Sequence, residues 1–357
     1  KSAEITVRIL QFREKALSLR SENKFGRCRF KDNRTRLHPI RTAGGSFFIY
    51  MGNQKPRTGQ EHLSILKSRG MSFGDDGEAL SFLSRVSYFR LKYYWMDMLD
   101  KETENDFLPD TCFEAVVERY EFDKALRQIV FDAVGILEIG LRAQIINVIS
   151  GQYGSGLWYT DKSLFENELY HEDFVLELKY EFGRSTDPFA REYIGSHDGW
   201  DEDTLSGDNP DAWMIFETAS FGTLSKMYKN LKSQLPARSI IANAFGLYSA
   251  KELSSWLEAI SVLRNIVAHH SRLWYRIFPK KPANPKGHRD KWLASDMTET
   301  QKQRAFGSIS ALLYLCNAIF PENSIKRDIL ALFDAHPAVP IHQLGFTMNW
   351  RNSPLWK

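Results

Sequence analysis

The chain has 357 residues, of which 43% are hydrophobic and 25% charged, and its formal net charge is +3. This composition predicts a packed globular protein and excludes an intrinsically disordered chain. No apolar run approaches the ~18 residues of a membrane span. The three cysteines are too few and too scattered for a disulfide framework or a zinc ribbon, so we expect a cytoplasmic protein with no membrane contact.

The charge is unevenly distributed along the chain. Residues 1–57 hold fourteen Lys and Arg against four Asp and Glu, and residues 58–357 hold 33 against 40. A basic segment beside an acidic body favours contact with an acidic polymer such as RNA. The alternative is a terminal segment that is partly disordered. We therefore predict a basic N-terminal extension of uncertain structure over 1–57, and one helical domain over 58–357 that could be subdivided near 157–211.

The chain reads as all-α from Thr58 onward, with a short β-prone run at Ser46–Tyr50 as the one exception before it. Capping residues, apolar periodicity and turn formers set the predicted boundaries. The long third helix is expected to break near Tyr120–Asp123. The predicted helices span 58–70, 76–99, 111–150, 212–231, 236–245, 249–278, 299–319 and 324–335.

The helix predicted over Ser249–Phe278 carries the sequence "RNIVAHHSRLWYR" at 264–276. At about 100° per residue, Asn265 and His269 share one face of such a helix, and Arg272 and Arg276 extend that face. Arg264 lies on its flank, from where a long side chain can reach the polar stripe.

The opposite face of this helix is apolar and predicts the core contact. His270 falls toward that buried side, so we predict that it supports the site from the core, whereas His269 points outward. The apolar face is formed by Trp256, Ile260, Leu263, Val267 and Trp274.

The outward stripe combines groups suited to phosphate chemistry. Arginine offers forked donors to a phosphate, and histidine moves protons near neutral pH. Asn265 precedes His269 by four residues and can orient its imidazole. No carboxylate lies between Glu258 and Asp290, and no His-Glu-x-x-His is present, so we predict neither a metal site nor a cofactor.

The string "RNIVAH", Arg264 to His269, resembles the R-x4-6-H motif of the HEPN ribonuclease superfamily. The wider "LRNIVAHHSRLWYR" is similar to bacterial abortive-infection proteins of the AbiD/AbiF type. Four further ordered blocks look like that family, and residues 1–57 do not. These blocks are residues 63–95, 120–145, 213–231 and the closing "PLW" at 354–356.

This resemblance implies a HEPN-like helical bundle and a bacterial toxin or antiviral-defence protein. It maps the catalytic pair onto Arg264 and His269, and the polar residue onto Asn265. The implied activity is metal-independent endoribonuclease cleavage through 2′-OH attack. HEPN nucleases generally juxtapose two such motifs, and this chain holds one R-N-x3-H string, so the resemblance implies a homodimer with a composite active site if the protein is a nuclease.

Further residues extend the predicted site. Glu138 and Arg142 form an i, i+4 pair, read either as a simple salt bridge or as a network behind the site. Arg90 and Lys92 lie in the aromatic row 88–95, which serves either the core or RNA stacking. Arg272, Arg276, Lys280 and Lys281 complete the predicted RNA contacts.

Two other functions compete with the nuclease. One is a non-catalytic RNA-binding protein in complex with a small non-coding RNA. The other is a dimerisation helix without an RNA partner, for which mutation of the stripe would break the dimer instead of an activity.

Overall fold

A computed structural model describes residues 56–197 and 209–357, and every regular element in this part is helical. The predicted all-α class is confirmed. Short 3₁₀ turns follow several helices, notably at Lys92–Tyr94 and Met96–Met98. The α-helices are α1 (Gly59–Ser68), α2 (Asp76–Arg85), α3 (Tyr88–Leu91), α4 (Phe113–Tyr153), α5 (Glu168–Gly183), α6 (Pro188–Ser196), α7 (Ala212–Ile215), α8 (Phe221–Asn230), α9 (Pro236–Ala244), α10 (Ala250–Ala268), α11 (Glu299–Lys302), α12 (Ala305–Ile319) and α13 (Ile325–Ala335).

Helix α4 is the axis of the fold. It runs unbroken for 41 residues, about 60 Å at 1.5 Å per residue, so the predicted break near Tyr120–Asp123 is wrong. That region continues the helix because Phe122 and Asp123 are fully buried against neighbouring elements. The helix ends where Gly154 adopts a left-handed φ of 61°.

The core forms where α9, α10, α12 and α13 pack against α4. Helix α12 packs tightly against α4 at Gly140, where an added Cβ would lie 2.7 Å from Cγ2 of Ile319. Cys316 on α12 is buried and donates its thiol to the Ala133 carbonyl at 3.3 Å. Helix α10 is held on its other sides by α8 and α12, which fixes the helix that carries the candidate motif.

The region predicted as one helix over 76–99 is divided. Helix α2 ends at Arg85, and Ser87 caps the short α3 by accepting from the Arg90 amide. The aromatic row then enters the core, since Tyr94 and Trp95 are fully buried while Phe89 stays 70% exposed. The core interpretation of this row is confirmed for those two rings.

Several predictions lie outside the described residues, including the structure of the basic extension, the β-prone run at 46–50 and the acidic stretch at 198–208. The domain boundary at residue 57 and the subdivision near 157–211 stay predictions. None of the helices in 56–197 and 209–357 is long and apolar enough to cross a bilayer.

Candidate functional site

Helix α10 ends at Ala268, ten residues before the predicted end at Phe278. His270 adopts a left-handed φ of 52° and donates its amide to the Val267 carbonyl at 3.0 Å. The Ser271 amide donates to the Ile266 carbonyl at 2.8 Å. These paired bonds form a Schellman motif, in which the left-handed position is usually glycine.

The continuous polar stripe predicted along the helix is therefore wrong in its second half. Asn265 and His269 do lie on consecutive turns, with the His269 amide donating to the Asn265 carbonyl at 3.1 Å. Arg272 and Arg276 follow the helix in an irregular segment, so a helical angle no longer places them on that face.

Both histidines of the doublet are exposed. The prediction that His270 turns to the core is wrong, because the left-handed turn carries its side chain off the helix. The predicted core face is confirmed, since Trp256, Ile260, Leu263 and Val267 are all buried. Trp274 is also fully buried, although it reaches the core from the segment that follows the helix.

The left-handed position of His270 gives a stability prediction. A non-glycine residue in this conformation costs about 1 kcal/mol, and glycine removes that cost. We expect His270→Gly to raise the free energy of unfolding by up to about 1 kcal/mol, measured by urea denaturation. The control is His288→Gly, because His288 is also exposed but its backbone φ is not positive. A loss of stability in His270→Gly as large as in the control would contradict the turn's role.

The candidate cluster is Arg264, Asn265 and His269, at the C-terminal end of α10. Arg264 is half-buried and its Nη1 lies 3.4 Å from Oδ1 of Asn265. Asn265 thus contacts Arg264 through its side chain and His269 through its backbone carbonyl. The predicted contact between the Asn265 side chain and the imidazole is replaced by this arrangement, which ties the arginine to the turn that presents the histidine.

Arginines engage the backbone carbonyls that follow the helix. Arg90 donates to the carbonyl of His270, and Arg272 to that of Trp274. Arg276 donates through Nε to the carbonyl of Arg272 at 2.8 Å. A helix C-terminus carries partial negative charge that repels anions. These guanidinium groups place positive charge on the segment that follows this helix end.

Arg272 also stacks on an aromatic ring. Its guanidinium carbon lies 3.8 Å from the centre of the Tyr93 ring. Burial, with a smaller contribution from Arg276, lowers the pKa of Arg272 to about 10. Arg272 therefore helps to hold the segment in place, and its predicted RNA contact stays a prediction.

The sequence prediction missed Asp123, a fully buried carboxylate on α4. Its Oδ1 accepts the amides of Leu273 and Trp274 at 3.1 and 2.9 Å. Its Oδ2 accepts the Tyr94 hydroxyl at 2.7 Å and a guanidinium N–H of Arg127. Burial raises the pKa of Asp123, against the opposing pull of Arg127 and these hydrogen bonds. This one carboxylate joins α4 to the segment that holds Tyr94 and to the segment that follows α10.

A second buried arginine supports the same segment. Arg119 donates to the Tyr94 carbonyl at 2.8 Å and to Asp97 at 2.7 Å. Its guanidinium lies 5.5 Å from the centre of the Trp274 ring.

The sequence signal that could have identified Asp123 is its i, i+4 spacing to Arg127, in a helix where most neighbours are apolar.

The pair Glu138 and Arg142 forms as predicted, with Nη2 and Oε1 3.3 Å apart. Arg142 also donates to the Ala219 carbonyl at 3.0 Å and lies 3.7 Å from Glu217. These contacts tie α4 to the residues that precede α8. A role behind the Arg264–His269 cluster stays a prediction.

Lys280 and Lys281, in the loop that follows Arg276, form ion pairs with carboxylates of the protein. Lys280 lies 3.4 Å from Glu258, and Lys281 lies 3.1 Å from Glu299. Such exposed pairs are weak, so RNA contact by these lysines stays a prediction. Lys92, in the aromatic row, is half-buried, and burial with the nearby Arg69 lowers its pKa.

The described residues thus define an all-α protein that presents an Arg–Asn–His cluster at the capped end of a buried helix. They include no group of three or more His, Cys, Asp or Glu side chains that could hold a metal ion. The chain belongs to the family described as Abi-like protein, whose model matches residues 81–275. That match begins in α2 and ends one residue before Arg276. Membership suggests a role in abortive infection. No curated protein and no solved structure matches the chain.

Proposed function

We propose that this protein is a metal-independent endoribonuclease of the HEPN type that acts in phage defence by abortive infection or as a toxin. The observation that carries the proposal is the cluster at the end of α10. There an exposed His269 and a half-buried Arg264 are both tied to Asn265. The Abi-like family supports the biological role.

In this proposal the nucleophile is the ribose 2′-OH, which RNA has and DNA lacks. It attacks the adjacent phosphorus, and the bond to the 5′-oxygen of the next nucleotide breaks. The products are a 2′,3′-cyclic phosphate and a 5′-hydroxyl. His269 takes the proton from the 2′-OH or gives one to the leaving oxygen.

Arg264 binds the scissile phosphate and stabilises the negative charge that develops on it. Asn265 positions Arg264 through its amide oxygen, and the regular helical bond from the His269 amide to its carbonyl keeps the histidine one turn further on. Arg272 and Arg276 add positive charge to the segment and stay candidates for contact with the strand, as do Lys280 and Lys281.

A single chain offers one Arg264–His269 motif. We propose that two copies place their α10 ends side by side, so that one composite site uses a cluster from each. Sedimentation of the wild type, alone and with RNA, measures this assembly. A monomer that cleaves RNA at full rate would remove the composite site from the proposal.

The test of the proposed activity is cleavage of total RNA in EDTA by the wild type, Arg264→Ala and His269→Ala. We expect cleavage by the wild type and a strong loss in each variant, because each removes a group that acts on the reacting phosphate. Lys251→Gln, an exposed residue at the far end of α10, is the control and should cut normally. If both site variants cut like the wild type, the proposal fails. RNA that co-purifies uncut with every variant would instead support the non-catalytic RNA-binding alternative.

A further inference from the structure

A basic pocket lies beside the Arg–Asn–His cluster and is not part of it. It has a volume of about 560 Å³ and opens to solvent. Val86 and Ser87 form part of its lining. We define the basic pocket by its cationic, imidazole and aromatic side chains, which are Arg85, Arg90, Tyr120, Lys124, Arg127 and His270.

Separate parts of the chain build this pocket. Arg85 is the last residue of α2, and Arg90 lies in α3. Tyr120, Lys124 and Arg127 follow each other at i, i+4 and i+7 on α4, which places them on one face of that helix. His270 enters from the turn after α10, so the pocket adjoins the candidate cluster through the histidine doublet.

Within the described part of the chain, no carboxylate lines the pocket. Arg85 donates to the Ser81 carbonyl, and Arg90 to the His270 carbonyl, so neither charge is neutralised by these bonds. Arg90 also lies 5.8 Å from the centre of the Tyr120 ring. The positive charge of both guanidinium groups thus remains available to an anion.

The other two cations differ in how they are held. Arg127 is almost completely buried, and Asp123 orients its guanidinium from below. Lys124 forms an exposed pair with Glu121 at 2.8 Å, which is weak enough for a phosphate to displace. The pocket therefore combines a guanidinium fixed by its ion pair with Asp123 and adaptable cations, among which Arg85 and Arg90 keep their charge because they donate to carbonyls, an arrangement that suits a phosphate oxyanion.

We propose that the basic pocket binds a phosphate group, and that its source is the backbone of the RNA strand that reaches the Arg264–His269 cluster. The choice of RNA rests on the proposed function, whereas the phosphate chemistry rests on the pocket alone. A strand held here has one phosphate seated beside His270 while a neighbouring one faces His269.

Binding of a short, fluorescein-labelled single-stranded RNA tests the proposal, measured by anisotropy on full-length His269→Ala so that the strand stays intact. Adding Arg85→Gln and Lys124→Gln should raise the dissociation constant roughly tenfold or more. The slope of log K against log salt should fall by about 0.7 for each phosphate that the protein no longer neutralises. Adding Lys251→Gln removes the same kind of charge away from the pocket and should leave both values near those of His269→Ala.

Competition with AMP separates the two sources of phosphate. RNA binding that depends on the pocket and resists AMP supports the strand. AMP binding that is abolished in the Arg85→Gln/Lys124→Gln variant supports the phosphate pocket and assigns it to a free nucleotide. Equal binding of both probes by the pocket variant and the Lys251→Gln control would overturn the proposal.

If the double variant unfolds, Lys124→Gln alone, which changes one exposed side chain, takes its place in the binding measurement. RNA binding that needs the pocket, together with a wild type that never cuts, would reject the nuclease and leave the phosphate site standing.

Discussion

Replacing Asp123 with asparagine should lower the free energy of unfolding by about 3–5 kcal/mol, because it leaves a buried cation uncompensated. The amide cannot reproduce the carboxylate's contacts. Asp123 accepts from Tyr94, from Arg127 and from two backbone amides, and an Asn NH₂ would face one of these donors with another donor. Urea denaturation of the full chain measures the effect.

The matched control is Asp132→Asn, on the same helix. Asp132 is exposed and accepts from Gln128 at 3.0 Å, so its substitution should change stability by no more than about 0.5 kcal/mol. Adding Arg127→Met to Asp123→Asn removes the unpaired cation and should recover part of the loss. Equal effects of Asp123→Asn and Asp132→Asn would contradict the anchoring role of Asp123.

Replacing His269 with alanine should lower kcat for RNA cleavage by about 10²–10⁴-fold, the range expected when a group that transfers protons is removed. His270→Ala should leave kcat near the wild-type value and raise KM, because His270 lines the basic pocket and is not the proposed proton-transfer group. Steady-state kinetics on a defined RNA separates the two effects.

This comparison uses adjacent residues that are both exposed, so general damage to the turn would affect both variants. The pattern expected from the structure is a kcat defect in one and a KM defect in the other. A larger kcat defect in His270→Ala would reverse the assignment of the doublet.

Much of the helical fold follows from local signals. Thr58 caps α1 in a capping box, Ser249 caps α10, and Gly154 ends α4. Each of these is a short-range interaction between a residue and the backbone of the turn beside it. These helix ends are therefore predictable from the local sequence.

The end of α10 could not be found in the same way. A histidine at the left-handed position carries no glycine signal, and it is stabilised by tertiary contacts such as that of Arg90 with the His270 carbonyl. A helix that continues to Phe278 would place Arg272 and Arg276 on its polar face, whereas the turn at His270 removes them from it. The positions of Arg264, Asn265 and His269 are unaffected by this difference, since all three precede His270.

The buried charges illustrate a second limit. The spacing of Asp123 and Arg127 matches that of Glu138 and Arg142, and sequence alone gives no reason to prefer one pair. Only the fold shows that Asp123 meets Leu273, 150 residues away along the chain. The basic pocket is likewise formed by tertiary packing of distant segments, since α2, α3, α4 and His270 contribute to it.

The chemical identity of the RNA ends left by the wild-type protein in EDTA distinguishes cleavage by the 2′-OH from hydrolysis by water. Attack by the 2′-OH predicts products that carry a 2′,3′-cyclic phosphate and a 5′-hydroxyl, and it predicts that an RNA blocked by 2′-O-methylation stays intact. A 5′-phosphate with a 3′-hydroxyl, cleavage of the methylated strand, or activity that appears only with added metal would contradict the account.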